Sequence, residues 1–275
     1  MINKVRLKAV AVALLVHVVL CRYTGDILDE ILQGDHHYDF KDLPADLKPF
    51  RLDDPDHGVK MGIPFTPCDD GVHGIELDWD PRSEAEIKCL PSDDVNNETR
   101  FIEVHETKHE EPIHVCLNTP IRYKTPLPLS GSHRPLWPMF GEYKYLPPQR
   151  WVHSLEHGAV VLLYHPCMAD KPELAALRSL VRDCLGKHII TPYRHITRNM
   201  PYALLTYKHG LLIGLFRPTQ EEDVNIVVNF IKAHALDAPE AMVFEDGQYS
   251  KGLMESATKY SDLKETRENV CAFLR

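Results

Sequence analysis

Several common chemical signatures are missing from this 275-residue sequence. It contains no CxxC pair, which argues against a dithiol redox centre and against a zinc ribbon. It has no GxSxG turn to present a serine nucleophile and no glycine-rich loop to cradle phosphates. Positive charge is also short: 31 Lys and Arg face 40 Asp and Glu, for a net charge of -9. No basic field is therefore available to hold nucleic acid or an anionic membrane. Glycine (14) is scarcer than proline (21), so long irregular stretches are expected between the regular elements. An apolar run at residues 9–20 falls short of the roughly 20 residues that cross a bilayer, and no later segment reaches that length.

What is present begins with that run. Lys4, Arg6 and Lys8 precede it, and Val19 and Cys21 fill the small-residue positions before a cut near Arg22. Residues 1–21 read as a secretory signal peptide cut near Arg22, the alternative being an uncleaved N-terminal anchor. Cleavage removes Cys21 and leaves Cys68, Cys89, Cys116, Cys167, Cys184 and Cys271, an even set that an oxidising lumen pairs into disulfides. Only Cys167–Cys184 has a local argument, because the two flank one predicted helix. Asn97-Glu98-Thr99 is a glycosylation sequon in an acidic stretch. The expected product is secreted or lumenal, without a membrane span.

Residues 22–66 form an irregular arm rich in Asp, Pro and His, with a short helix at 26–32, and residues 67–122 a cysteine-containing region with a strand at 113–117 (IHVCL). The clearest patterning lies in a core domain at 123–237. Its opening, 125–148, holds too many prolines for a helix and too many aromatics for a free linker, so it reads as a structured loop. QRWVHSLEHG follows as a short helix, with Pro148 at its start and Gly158 at its end. AVVLLY (159–164) is a doubly buried strand. Residues 171–185 are helical, with Leu174, Leu177, Leu180, Val181 and Cys184 on one face. KHIITP (187–192) is a second strand, and 202–207 and 211–216 form a hairpin through Lys208-His209-Gly210. Residues 219–235 make a helix opened by a Thr219/Glu222 capping box, burying Val224, Val227, Val228 and Ile231. The tail, 238–275, is expected to close with a helix at 264–274, stapled by Cys271.

The order β-α-β-β-β-α predicts an α+β fold, a mixed sheet with helices packed on it, stabilised by disulfides. With Met200-Pro201 before the hairpin, it resembles a thioredoxin-like topology in which that proline is often cis. The strand–YHPC–helix segment would then hold the redox position, where Cys167 has no CxxC companion. Thiol–disulfide exchange is accordingly the weakest of three functional readings.

The densest set of potential ligands is His153-Ser154-Leu155-Glu156-His157. Residues four apart share a helix face, so both imidazoles can converge on one ion. Glu156 can ligate, orient a ring or act as a base. HxxEH also occurs in inverted zincin proteases, but there it lies inside a longer helix with a downstream glutamate ligand. His133, in the SGSH loop, is the expected third histidine, and His209 is a further candidate. Zinc or copper fits such a set. The alternative is that these side chains bond backbone groups and fix the loop to the helix. His36, His37, His57, His73, His105 and His109 read as solvated, His165 as a cap on a strand end, and Trp137 and Trp151 as core anchors.

The stretch LPLSGSHRPLWPMFGEYKYLPPQRWVHSLEHGAVVLLYHPC resembles the tumour protein p53-inducible protein 13-like family. It is also similar to a bacterial domain family of unknown function with an SGxH loop followed by VHxLEHG. The resemblance runs from Pro126 to Ala235. It implies a binding or growth-control role with no established catalytic activity, acting through an unidentified protein partner. The residues it carries over are His133, His153, Glu156 and His157. Metal binding or metal-dependent catalysis through these residues is the alternative.

Overall fold

The computed structural model describes residues 53–54, 57–90, 100–107, 112–257, 265–272 and 274. The chain divides into two units, Met1–Arg51 and Leu52–Arg275, and all described residues belong to the second. The signal-like segment, the helix expected at 26–32 and the Asn97 sequon lie outside the described residues. Among those residues no helix is long and apolar enough to cross a membrane.

The elements are β1 (Asp53–Asp54), β2 (Gly58–Val59), β3 (Phe101–His105), β4 (Gly141–Tyr143), α1 (Pro148–Glu156), β5 (Val160–Tyr164), α2 (Pro172–Cys184), β6 (His188–Pro192), β7 (Tyr202–Thr206), β8 (His209–Ile213), α3 (Glu221–His234) and β9 (Leu253–Ser256). β1 and β2 form a small antiparallel pair, and the other seven strands form one sheet in the order β3-β8-β7-β5-β6-β4-β9. β4, β6 and β5 run parallel, β7 adds antiparallel to β5, and β8 pairs antiparallel with β7. This is the expected α+β mixed sheet, with three helices packed on it. The cis X–Pro bond among the described residues is Thr66–Pro67, not Met200–Pro201 as the topology had implied.

Each face of the sheet carries its own core. β5 is buried at every position, which explains its unbroken apolar run. Val160, Leu162 and Tyr164 pack with Leu174, Leu177 and Val181 of α2 and with Val227, Val228 and Ile231 of α3. Val161 and Leu163 meet Trp151 and Leu155 of α1, Trp137, and Ile75, Trp79 and Leu117 from the preceding region. Trp137 and Trp151 are core anchors, as expected.

Several local expectations are corrected. Residues 113–117 contribute only an isolated bridge, His114 to His133, rather than a strand. The hairpin turns at Tyr207-Lys208, with His209 already in β8. α3 starts at Glu221 without a side-chain cap; buried Asp223 instead accepts from the Arg217 amide and guanidinium. The described part of 264–274 is a series of turns, not a helix. Cys167–Cys184 does not form. The bonds are Cys68–Cys116, Cys89–Cys167 and Cys184–Cys271. α2 runs about 18 Å from Pro172 to Cys184 at ~1.5 Å per residue, which carries Cys184 away from the helix start that Cys167 precedes.

Two buried ion pairs tie the 67–90 region to the core. Arg150 on α1 binds Asp69 through both terminal nitrogens, at 2.6 and 2.9 Å. Arg134 binds Asp78 through Nε and Nη2, at 2.8 and 2.5 Å. The remaining Arg134 Nη1 donates to the carbonyls of Val115, Cys116 and Thr119. Removing one partner of such a pair strands a charge in the core. Asp78→Ala should therefore cost about 3–5 kcal/mol, read as a fall in the urea midpoint. Asp80→Ala, which loses only exposed contacts with the Arg82 guanidinium and amide, should leave that midpoint nearly unchanged.

Candidate metal centre

α1 follows from its sequence: Pro148 occupies the first helical position, and the chain leaves through His157 and Gly158. Gly158 has φ +80°, and a Cβ there would lie 2.8 Å from Leu236 Cα. The helix thus ends at the motif instead of running through it, unlike the protease arrangement. His153 and His157 share one face, their ring centroids 4.8 Å apart.

The 131–134 loop crosses that face. His133 lies over His153 at a centroid separation of 4.2 Å. The bridge then brings a third ring: the His133 amide donates to Ile113 O and the Val115 amide to His133 O. This places His114 5.0 Å from both His133 and His153. His114 was not a candidate from sequence. Nothing marks it among 16 histidines except its position two residues before Cys116.

The three rings share one hydrogen-bonding pattern. Nδ1 of His114 donates to Val59 O (2.5 Å), Nδ1 of His133 to Gly131 O (2.8 Å), and Nδ1 of His153 to Arg134 O (2.6 Å). A carbonyl only accepts, so each Nδ1 carries the proton and each neutral ring keeps its lone pair on Nε2. All three Nε2 atoms are buried without a hydrogen-bond partner. Burial lowers the pKa of all three rings, and the neighbouring histidines drive His133 and His153 further down. His114, His133 and His153 each offer a ligand atom, all within 4.8 Å of one another.

A second trio joins His153 to His157 and Glu240. His157 Nε2 is 3.0 Å from Glu240 Oε2, yet the two are not aligned as a hydrogen bond. Burial lowers the His157 pKa against the opposing pull of Glu240. Burial would raise Glu240, but His157 beside it brings the carboxylate below its ordinary value. Glu240 was also invisible in the sequence, where it sits in an unpatterned tail. Its place is fixed from both ends: its amide donates to Glu156 O, and buried Lys187 Nζ clamps His157 O, Ala241 O and Val243 O. Burial pushes that lysine down to about 8.

Of the residues chosen from sequence, His133 falls in the first trio, His157 in the second and His153 in both, so the expected set of His133, His153 and His157 does not share one ligand group. Glu156 belongs to neither trio, although its Oε2 lies 3.3 Å from His133 Nε2. With His133 protonated on Nδ1, two acceptors face each other there unless a proton or a cation lies between them. His209 is elsewhere, stacked on His234 at 3.9 Å. His57, expected in solvent, is half-buried with its ring 5.2 Å from His114.

Residues 114–247 match the model of a family described as Protein of unknown function (DUF3105). The matched span is a little under half of the chain, and it contains both ligand trios. No curated protein and no solved structure matches the chain.

The depressed histidines set a pH dependence for the metal-free protein. Their folded pKa values lie below the ordinary 6.5, so the unfolded chain takes up protons first as pH falls. Stability should hold above about pH 6.5 and decline below it. His188, lowered to about 4 by burial, adds to the same decline. Urea titrations between pH 7 and 5 should show this fall, with a shallower slope in His133→Gln.

Proposed function

We propose that the protein binds one divalent transition-metal ion, zinc or copper, through His114, His133 and His153, with His157 and Glu240 on the outer side. The observation that supports this most directly is a buried cluster of three Nε2 atoms that make no hydrogen bond. Three neutral lone pairs facing one another repel in a low-dielectric interior, and a cation converts that repulsion into bonds. The backbone carbonyls on Nδ1 fix each tautomer and raise ligand basicity, as outer partners of metal-bound imidazoles do. Imidazoles with one carboxylate suit zinc or copper(II), whereas calcium and magnesium demand oxygen ligands. His153 lies in both trios, but its Nδ1 is committed to Arg134 O, so it serves a single ion.

The four rings are buried, and of the ligand set only Glu240 keeps appreciable side-chain exposure. That enclosure favours retention or handling of an ion over turnover of a large substrate. The setting we propose is an oxidising secretory compartment, supported by the signal-like residues 1–21 and by the pairing of all six later cysteines. The binding and growth-control role implied by resemblance to the p53-inducible family draws on the SGSH and VHSLEHG motifs. These are the loop and helix of the histidine cluster, and metal binding is therefore placed first.

Metal analysis of the purified protein should find about one zinc or copper per chain, lost in His153→Ala combined with His114→Ala. Zinc or copper added to stripped protein at a hundredfold excess over Kd should stabilise it by about 2.7 kcal/mol, seen as a higher Tm. Absence of metal from the purified protein, together with an unchanged Tm on adding either ion, would remove this reading.

A further inference from the structure

The three disulfides differ in their surroundings. Cys68 of the first bond and both cysteines of Cys184–Cys271 are buried. Cys89–Cys167 instead lies at the surface, with Cys89 exposed and Cys167 half-buried. Cys167 sits in the turn Pro166–Met168 that leads from the end of β5 towards α2.

Arg198 sets this bond further apart. Its Nη2 lies 3.4 Å from Cys167 Sγ, and the same nitrogen donates to the carbonyl of Leu90, beside Cys89. Arg194, from the same loop, donates to Ala85 O at 2.8 Å. The nearby His165 ring accepts the Cys167 amide on Nδ1, and burial followed by the two arginines keeps its pKa low. One sulfur thus faces solvent while the other faces a fixed positive charge.

We propose that Cys89–Cys167 is an exchange site for a dithiol reductant, separate from the histidine cluster. A thiolate of the dithiol attacks exposed Cys89 Sγ and forms a mixed disulfide. The Cys89–Cys167 bond breaks, and its electron pair leaves on Cys167 Sγ, where Arg198 meets the new charge. The second thiolate of the dithiol then attacks the donor's own sulfur in the mixed disulfide. Cys89 leaves as a thiolate, and the donor departs as an intramolecular disulfide. Two electrons and two protons pass to the protein, giving Cys89 and Cys167 thiols. The sequence has no CxxC, yet the fold brings two distant cysteines together beside a cation that favours one as leaving group.

Folded full-length protein treated with limiting dithiothreitol at pH 7, then alkylated and peptide-mapped over time, tests this. Cys89 and Cys167 should be labelled about tenfold faster than the other four cysteines. Arg198→Gln should slow that labelling about three- to tenfold, and Arg198→Lys should restore most of it. Equal opening of all three bonds, or earlier opening of a buried one, overturns the proposal. So does an unchanged rate in Arg198→Gln at unchanged Tm. If that variant does not fold, the ranking of the three bonds in the unaltered protein decides alone.

Discussion

One guanidinium underlies the arrangement of the histidine cluster. Arg134 is fully buried, and its charge is met by Asp78 on one side and by three backbone carbonyls of 115–119 on the other. Its amide donates to Gln149 O in α1, and its carbonyl receives the Nδ1 proton of His153. A single residue therefore locks the segment after His114, the loop carrying His133 and the helix carrying His153. A buried charge is tolerated only when it is paired and hydrogen-bonded, and here those obligations coincide with the geometry that brings three rings together. Cys68–Cys116 and the Cys68 carbonyl, which receives the Leu117 amide, hold the same segment from outside.

The fold was legible wherever the signal was local. The β5 apolar run, the heptad-like face of α2 and the Pro148-to-Gly158 helix all declare themselves within a few residues. β3, β4 and β9 do not. They are three to five residues long, and β3 and β9 expose most of their side chains, so pairing with neighbours makes them strands. The disulfide connectivity was hidden for a related reason. Proximity in sequence favoured Cys167 with Cys184, whereas the rigid rod of α2 keeps them apart and leaves each to a partner brought by tertiary folding.

The centre was half legible by the same logic. His153 and His157 announce themselves through helical spacing, and His133 through its place in the loop expected to cover that helix. His114 and Glu240 arrive by a backbone bridge and by a lysine clamp, neither of which leaves a pattern in sequence. Glu156 shows the converse. Adjacent to His157 in the chain, it points towards His133 and stands outside both trios, because one step along a helix turns a side chain by about 100°.

The imidazoles of His114, His133 and His153 are oriented by main-chain oxygens of Val59, Gly131 and Arg134. Main-chain acceptors are common to every amino acid. The orienting shell at Val59 is therefore written in the path of the chain rather than in the letter of the sequence, whereas Gly131, at φ +113°, also requires its residue type. Related chains can vary at Val59 and still present the same three nitrogens, provided the loops keep their course. Insertions and deletions in these loops, and substitution of Gly131 more than of Val59, are the changes to which the centre is vulnerable.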